Sequence, residues 1–171
     1  MLVQIESPFD KVNHNILFNK LMQSKCSGGV VQTLYNWDSC YSCTFVLRCG
    51  VRQGGVMFSV LFALYVNDVI MKLEHSKLGC YVGDTYTGCI MYADDRVLIA
   101  ASLTMLQKMI DVVDDEARNT DMTFNASKPA VIRIDKNYKH LCTPLQLAGE
   151  LLCYDMKAKY LGMSIVSAVE F

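Results

Sequence analysis

The chain has 171 residues, enough for one domain with a substantial core and too few for two well-packed ones. Apolar residues make up 52% of the sequence and charged residues 19%, which excludes a disordered chain, and the formal net charge of −1 argues against an autonomous nucleic-acid binder, which is usually basic. No apolar run reaches the about 18 residues that span a bilayer, and the N-terminus lacks the pattern of a signal peptide, so we expect an intracellular protein, nuclear or cytoplasmic, that is neither secreted nor held in a membrane.

The first half of the sequence predicts a strand, several helices and one glycine-rich loop. Apolar residues recur near the 3.6-residue helical period at 9–23, and glycine pairs interrupt the chain at 28–29 and 54–55. The predicted order is a strand at 1–5, a helix at 9–23, a chain break at Gly28-Gly29, a helix at 30–40, a strand at 44–47, a loop at 50–55 and a helix at 57–73.

The second half predicts a hairpin, one amphipathic helix and a β-rich end. Apolar runs at 90–92 and 97–100 flank a polar turn, which is typical of a β-hairpin. Ser102 is a suitable N-cap for a helix over 102–118. Further strands are predicted at 122–125, 130–134, 145–147, 151–154 and 160–165. Helices mixed with antiparallel strands indicate the α+β class.

Eight cysteines occur without a secretory signal, so we expect reduced thiols. Cys40 and Cys43 have the spacing of half a zinc site. No second pair of Cys or His follows at ligand spacing, and the pattern therefore favours small, mostly buried residues over a metal site.

Asp94 and Asp95 are the most informative pair in the sequence. Two adjacent carboxylates between apolar strands repel each other unless water or a cation offsets their charge. Carboxylate oxygens are ligands that Mg²⁺ prefers, and paired ions can stabilise both oxygens of a phosphoryl displacement. An isolated Asp-Asp pair is more often a solvated turn. The surrounding sequence Tyr92-Ala93-Asp94-Asp95, which follows the glycine loop, favours the metal site.

With these motifs the chain resembles the reverse transcriptases of LINE-type, non-LTR retrotransposons. The family's palm hairpin is similar to Tyr92-Ala93-Asp94-Asp95 with the apolar run after it. Other motifs follow the family's order along nearly the whole chain, and their joint order is more specific than any one of them. They are Phe9 to His14 for the end of the first catalytic motif, Gly50 to Gly55 with the helix after it, Asn125 to Lys128, and Tyr160-Leu161-Gly162 before the primer grip.

The resemblance implies an α+β fold, a right-hand polymerase palm whose antiparallel sheet is backed by helices. Fingers would precede Met1 and a thumb would follow Phe171, both largely missing here. Residues 1–171 would then be one palm fragment, with the palm core at 1–155 and the start of the primer grip and thumb connection at 156–171.

The same resemblance implies catalytic and metal-binding roles. Asp94 and Asp95 would hold Mg²⁺, or Mn²⁺ in its place. Lys128 would stabilise or protonate the leaving pyrophosphate, although a solvated lysine is the alternative.

Nucleotide and template would meet a second group of residues. Phe9 matches the aromatic gate that rejects a ribose 2′-hydroxyl, and a hydrophobic staple for the following helix is the alternative. Arg52 would contact phosphate, Gln53 would position the template base or the nucleotide, and Gly54 would let the backbone approach the substrate. Tyr92 would pack near the primer end, or be an ordinary strand aromatic.

One departure from the family pattern affects activity directly. The family's first catalytic aspartate lies five residues before the gate aromatic, and Gln4 occupies that position. A neutral amide lacks the charge that bridges metal ions. Glu6 lies two residues further on, about 6–7 Å along a strand, and we do not expect it to substitute.

The sequence therefore predicts an RNA-directed DNA polymerase fragment with little or no activity. Its partners would be an RNA template, a DNA primer, deoxynucleotides and the fingers, thumb or endonuclease parts of a larger polyprotein. A noncatalytic remnant that binds nucleic acid or protein is the alternative. Within the polymerases, a group II intron maturase or a template-dependent RNA polymerase is a close alternative, which the hairpin and glycine-loop motifs together disfavour.

Overall fold

A computed structural model of the chain describes residues 2–6, 12–40, 56–92, 95–122, 130–134 and 142–167. The described helices and strands follow the α+β order expected from the sequence. They are β1 (Leu2–Glu6), α1 (His14–Gln23), α2 (Gly28–Cys40), α3 (Val56–His75), β2 (Tyr81–Val82), β3 (Thr85–Tyr86), β4 (Cys89–Tyr92), β5 (Asp95–Ile99), α4 (Leu103–Asn119), β6 (Ala130–Ile132), β7 (Gln146–Leu147), β8 (Glu150–Leu151), β9 (Cys153–Tyr154), β10 (Lys157–Tyr160) and β11 (Met163–Val166).

Side-chain caps set the starts of two helices. Helix α1 begins at His14 rather than near residue 9, because the Asn13 side chain accepts from the amides of Asn15 and Ile16. Helix α4 begins where predicted, since Ser102 accepts from the Met105 amide at 3.2 Å. Each cap satisfies an amide that has no partner inside its helix.

The chain break predicted at Gly28-Gly29 is wrong, because both glycines lie in the first turn of α2. The Ser27 carbonyl accepts from the amides of Val30 and Val31 at 2.9 and 3.2 Å, so the helix starts directly after Ser27. Amides of a first helical turn have no intrahelical partner, so glycine is tolerated there better than in a helix interior.

Helices α3 and α4 supply most of the apolar core. One cluster packs the second half of α3 and the inner face of α4 against the sheet residues Leu98 and Val131. A second cluster packs α1 against the first half of α3, around Phe62 and Tyr65. None of the described helices combines the length and hydropathy of a membrane span.

The central sheet has five strands in the order β4-β5-β1-β6-β9. Strand β5 is antiparallel to both β4 and β1, and β1 is antiparallel to β6. Only the β6–β9 pair in this sheet is parallel. The predicted antiparallel sheet backed by helices is thus confirmed, with one parallel pair at its edge.

Three small hairpins, β2–β3, β7–β8 and β10–β11, accompany this sheet in the described residues. The β2–β3 hairpin was not predicted, and its strands have two residues each. The β10–β11 hairpin lies on the side of the sheet away from α3 and α4, where Ala158 and Tyr160 pack with Val97 and Ile132. The strand predicted at 44–47 and the loop at 50–55 lie outside the described residues.

Candidate active site

The acidic hairpin forms as the sequence predicts. Strands β4 and β5 pair with Tyr92 opposite Asp95, so Asp95 is the first residue of β5. The Asp95 side chain is half-buried, and Tyr92 is 64% exposed. Asp94 lies outside the described residues. The hairpin therefore holds one carboxylate at the open end of a strand, beside an accessible aromatic ring.

Strand β1 brings the first motif next to this hairpin. Its register with β5 places Glu6 opposite Asp95 and Gln4 opposite Val97. Directly opposed residues of an antiparallel pair lie on the same face, with Cβ atoms about 4.5–5.5 Å apart. Position 4 is thus one two-residue step, about 6.6 Å, from the level of Asp95, and position 6 is level with it.

The β10–β11 hairpin covers the same face. Tyr160, which is 8% exposed, packs with Val97 two residues along β5 from Asp95. Burial raises the pKa of the Tyr160 phenol, and the negative charge of Asp95 raises it further. The segment that resembles the approach to the primer grip therefore lies over the Asp95 face of the sheet.

Arg96 is buried directly after the acidic pair, on the opposite face of β5. It is 1% exposed, and its register partner is Met91, which packs against the α1–α3 core. Burial lowers the pKa of the Arg96 guanidinium, an effect that the neighbouring Cys89 thiol opposes. No role was predicted for Arg96, although a charge beginning an apolar strand was the available signal.

The other predicted site residues lie outside the described part of the chain, and their roles stay predictions. No group of three potential metal ligands occurs within the described residues. Five cysteines of the described part of the chain form no disulfide, and the Cys40 and Cys43 side chains lie outside that part, so the interpretation of their spacing stays a prediction. The residues not described are Phe9, Arg52, Gln53, Gly54, Asp94 and Lys128.

The family model for reverse transcriptase (RNA-dependent DNA polymerase) matches residues 1–165. The chain belongs to the reverse transcriptase family. The resemblance drawn from the motifs, to the LINE-type reverse transcriptases, is confirmed.

Two curated relatives of this member of the reverse transcriptase family come from flies. A retrovirus-related Pol polyprotein from the type-2 retrotransposable element R2DM of Drosophila melanogaster is 29% identical over 84% of the chain and 14% of the relative. The RNA-directed DNA polymerase from the mobile element jockey of Drosophila funebris is 24% identical over 99% of the chain and 20% of the relative. The chain thus spans at most about a fifth of the length of either relative.

Reverse transcriptases use divalent metal ions, and the described site has the oxygen chemistry for one. Asp95 offers a half-buried carboxylate at the start of β5. Carboxylate oxygens suit hard cations, so Asp95 fits a divalent metal.

Proposed function

We propose that this chain contributes the palm of an RNA-directed DNA polymerase, which adds deoxynucleotides to a primer 3′-hydroxyl along an RNA template. The observation that supports this most directly is the alignment of Asp95 with β1, in a chain that matches the reverse transcriptase family over 1–165. Two chain segments far apart in sequence meet at one end of the sheet. The register brings position 4, where the family has its first carboxylate, within one two-residue step of Asp95, and ligands of a shared two-metal site must lie this close together.

In this proposal Asp94 and Asp95 hold Mg²⁺, with Mn²⁺ as an alternative ion. The bound metal would supply charge stabilisation for the oxygens of the phosphate that is transferred. Tyr92, which is exposed beside Asp95, would support the primer end. Phe9, Arg52, Gln53 and Gly54 would contact nucleotide or template, and Lys128 the leaving pyrophosphate.

Gln4 limits the rate of this reaction in the unmodified chain. It occupies the family's first carboxylate position, and an amide brings no negative charge to a metal site. The register leaves Glu6 as the acidic residue of β1 that is level with Asp95. We propose that Glu6 does not replace the missing carboxylate, since its spacing from the gate aromatic differs by two residues from the family pattern.

Primer extension tests the proposal. On poly(rA)/oligo(dT) with Mg²⁺ or Mn²⁺, we expect little synthesis by the unmodified chain. Gln4→Asp should raise the rate of synthesis by at least about 10-fold, because it restores a carboxylate to the metal site. Asp95→Asn in the Gln4→Asp chain should abolish that gain, and Glu6→Gln should leave it. Robust synthesis by the unmodified chain would refute the impairment, and no synthesis by either chain would refute the polymerase proposal.

Gln4 also favours a second candidate, a noncatalytic palm that binds nucleic acid. Lys157 and Lys159 lie on the exposed face of β10 and could contact phosphates. Binding to a labelled RNA–DNA hybrid should then weaken with salt, because neutralising each phosphate releases counterions. A chain that binds the hybrid in this way, and stays inactive as Gln4→Asp, would favour this candidate. Binding that salt does not change would exclude phosphate contacts as its basis.

A further inference from the structure

One buried hydroxyl links three helices of the chain. Tyr65, on α3, has no exposed surface. Its hydroxyl accepts from the Asn13 amide at 3.2 Å and donates to the Thr120 carbonyl at 2.5 Å. Asn13 is the N-cap of α1, and Thr120 is the C-cap of α4. The same oxygen thus satisfies backbone groups at two helix ends, which lack partners inside their own helices.

A second bond joins the same two helix ends directly. The Asn13 side-chain amide donates to a carboxylate oxygen of Asp121 at 2.8 Å, while its carbonyl oxygen caps α1. Asp121 has a φ of 52°, and the Met122 amide donates back to the Ala117 carbonyl at 2.8 Å. The chain therefore turns sharply after α4, and that turn is bonded to the start of α1.

The ring of Tyr65 is held separately from its hydroxyl. Lys20 donates to the Tyr65 carbonyl at 2.5 Å, lies 5.3 Å from the ring centroid and pairs with Asp68 at 2.8 Å. Burial raises the pKa of the Tyr65 phenol; the bond from Asn13 opposes this, and the charge of Asp121 adds to it. The raised pKa keeps the hydroxyl neutral, so it remains a donor. Because Lys20 holds the ring and the backbone of Tyr65 separately, removing the hydroxyl leaves the packing of the ring intact.

The two joined helix ends border the two motifs whose roles are still predictions. Asn13 lies near the end of the motif from Phe9 to His14, and Thr120 and Asp121 precede the motif from Asn125 to Lys128. We infer that Tyr65 is a positioning residue, which couples these two motifs through the shared hydroxyl at the ends of α1 and α4. This inference rests on the proposed function for its catalytic meaning, because Phe9 and Lys128 act only in that reaction.

Amide hydrogen exchange of the full chain tests the coupling without requiring activity. Tyr65→Phe should speed exchange in both 12–16 and 118–122 by about 10-fold relative to the core of α4, the factor for one buried hydrogen bond. Tyr86→Phe is the matched control, since it also removes a buried hydroxyl, one without a hydrogen-bond partner within the described residues. The control should change exchange in those segments by less than about twofold.

Asp121→Ala provides an independent second variant at an exposed position. It removes the bond from Asn13 and adds the strain of alanine at a φ of 52°, so it should speed exchange in the same two segments by at least about threefold. Faster exchange in one segment alone after Tyr65→Phe, or in neither, would overturn the coupling.

Kinetics separate positioning from stability. In the Gln4→Asp chain, Tyr65→Phe should lower kcat by about 10-fold and change the KM for deoxynucleotide by less than about twofold, because misplaced groups slow the chemical step. Unchanged kcat with faster exchange would overturn the positioning role. If no variant extends a primer while both segments still respond together, the proposed function fails and the coupling stands.

Discussion

A single methyl group added at Gly88 should destabilise the fold and disturb the acidic hairpin. A Cβ at this position would lie 2.7 Å from the Cα of Gly79 and 2.7 Å from the hydroxyl oxygen of Tyr86. The first contact is with backbone, so it cannot be relieved by a rotamer change. The Gly88 carbonyl also accepts from the Ile99 amide at 2.7 Å, so a shift of Gly88 moves the end of β5.

The expected cost of Gly88→Ala follows from that geometry. Overpacking of a tight contact costs about 1–3 kcal/mol. For a domain of this length each kcal/mol corresponds to about 2–4 °C, so the thermal midpoint should fall by about 2–12 °C. Circular dichroism melts and urea unfolding, each followed to completion, measure the effect.

Gly29→Ala is the matched control. A Cβ at Gly29 meets no atom within 4 Å, and the residue lies in α2. Alanine there should raise the free energy of unfolding by about 0.4–1 kcal/mol, mainly by restricting the unfolded chain. A Gly88→Ala protein that melts at or above the wild-type temperature would show that the two glycine backbones do not pack as closely as described.

Three further predictions concern an ion pair, a helix cap and a buried tyrosine. Lys72→Met should lower the free energy of unfolding in urea by about 1–3 kcal/mol, because the buried Glu116 carboxylate loses its cation. Arg118→Ala should change that free energy by less than about 1 kcal/mol, because the Arg118 side chain is 68% exposed and its partner Asp114 is less buried than Glu116. Equal effects would contradict this difference in burial. Ser102→Ala should cost about 1 kcal/mol through loss of the α4 cap, and Ser102→Asn should retain most of the stability in the same urea titration. Burial raises the pKa of Tyr86 above its ordinary value of 10.0, so the phenol ionises first in the unfolded chain. The free energy of unfolding should therefore fall as the pH rises above about 10. Tyr86→Phe should make that fall shallower, and an identical pH profile would count against the raised pKa.

Local patterns in the sequence identified the elements whose own residues determine them. The apolar stripe of α4 and its cap at Ser102 are contained within one segment, and the structure has both. The same holds for the β4–β5 hairpin, where two apolar runs flank a short polar turn. Gly28-Gly29 misled the prediction because propensity penalises glycine inside a helix, and these two lie at its first turn.

Contacts between distant segments were beyond such patterns. The sequence placed Asp94 and Asp95 in a hairpin, but the register that brings Glu6 level with Asp95 depends on pairing across 89 positions. The link between Asn13 and Tyr65 likewise joins residues 52 positions apart. The periodicity of a 15-residue window does not contain this strand register or this contact, because both are determined by how the formed helices and strands pack together.

The position of β1 also has a consequence for biosynthesis. This strand is made before both of its neighbours, since β5 and β6 follow roughly 90 and 125 positions later. Pairing at such separations slows folding, because the entropic cost of closing the long loop comes before the contacts contribute any stability. Until then, the backbone N–H and C=O groups on both edges of β1 have no partner strand. Unpaired strand edges can pair with other chains, which leads to aggregation. Keeping β1 from pairing with other chains until β6 has emerged is therefore a condition for a good yield of folded protein, and chaperone supply during expression should matter more for this chain than for a helical bundle of equal length.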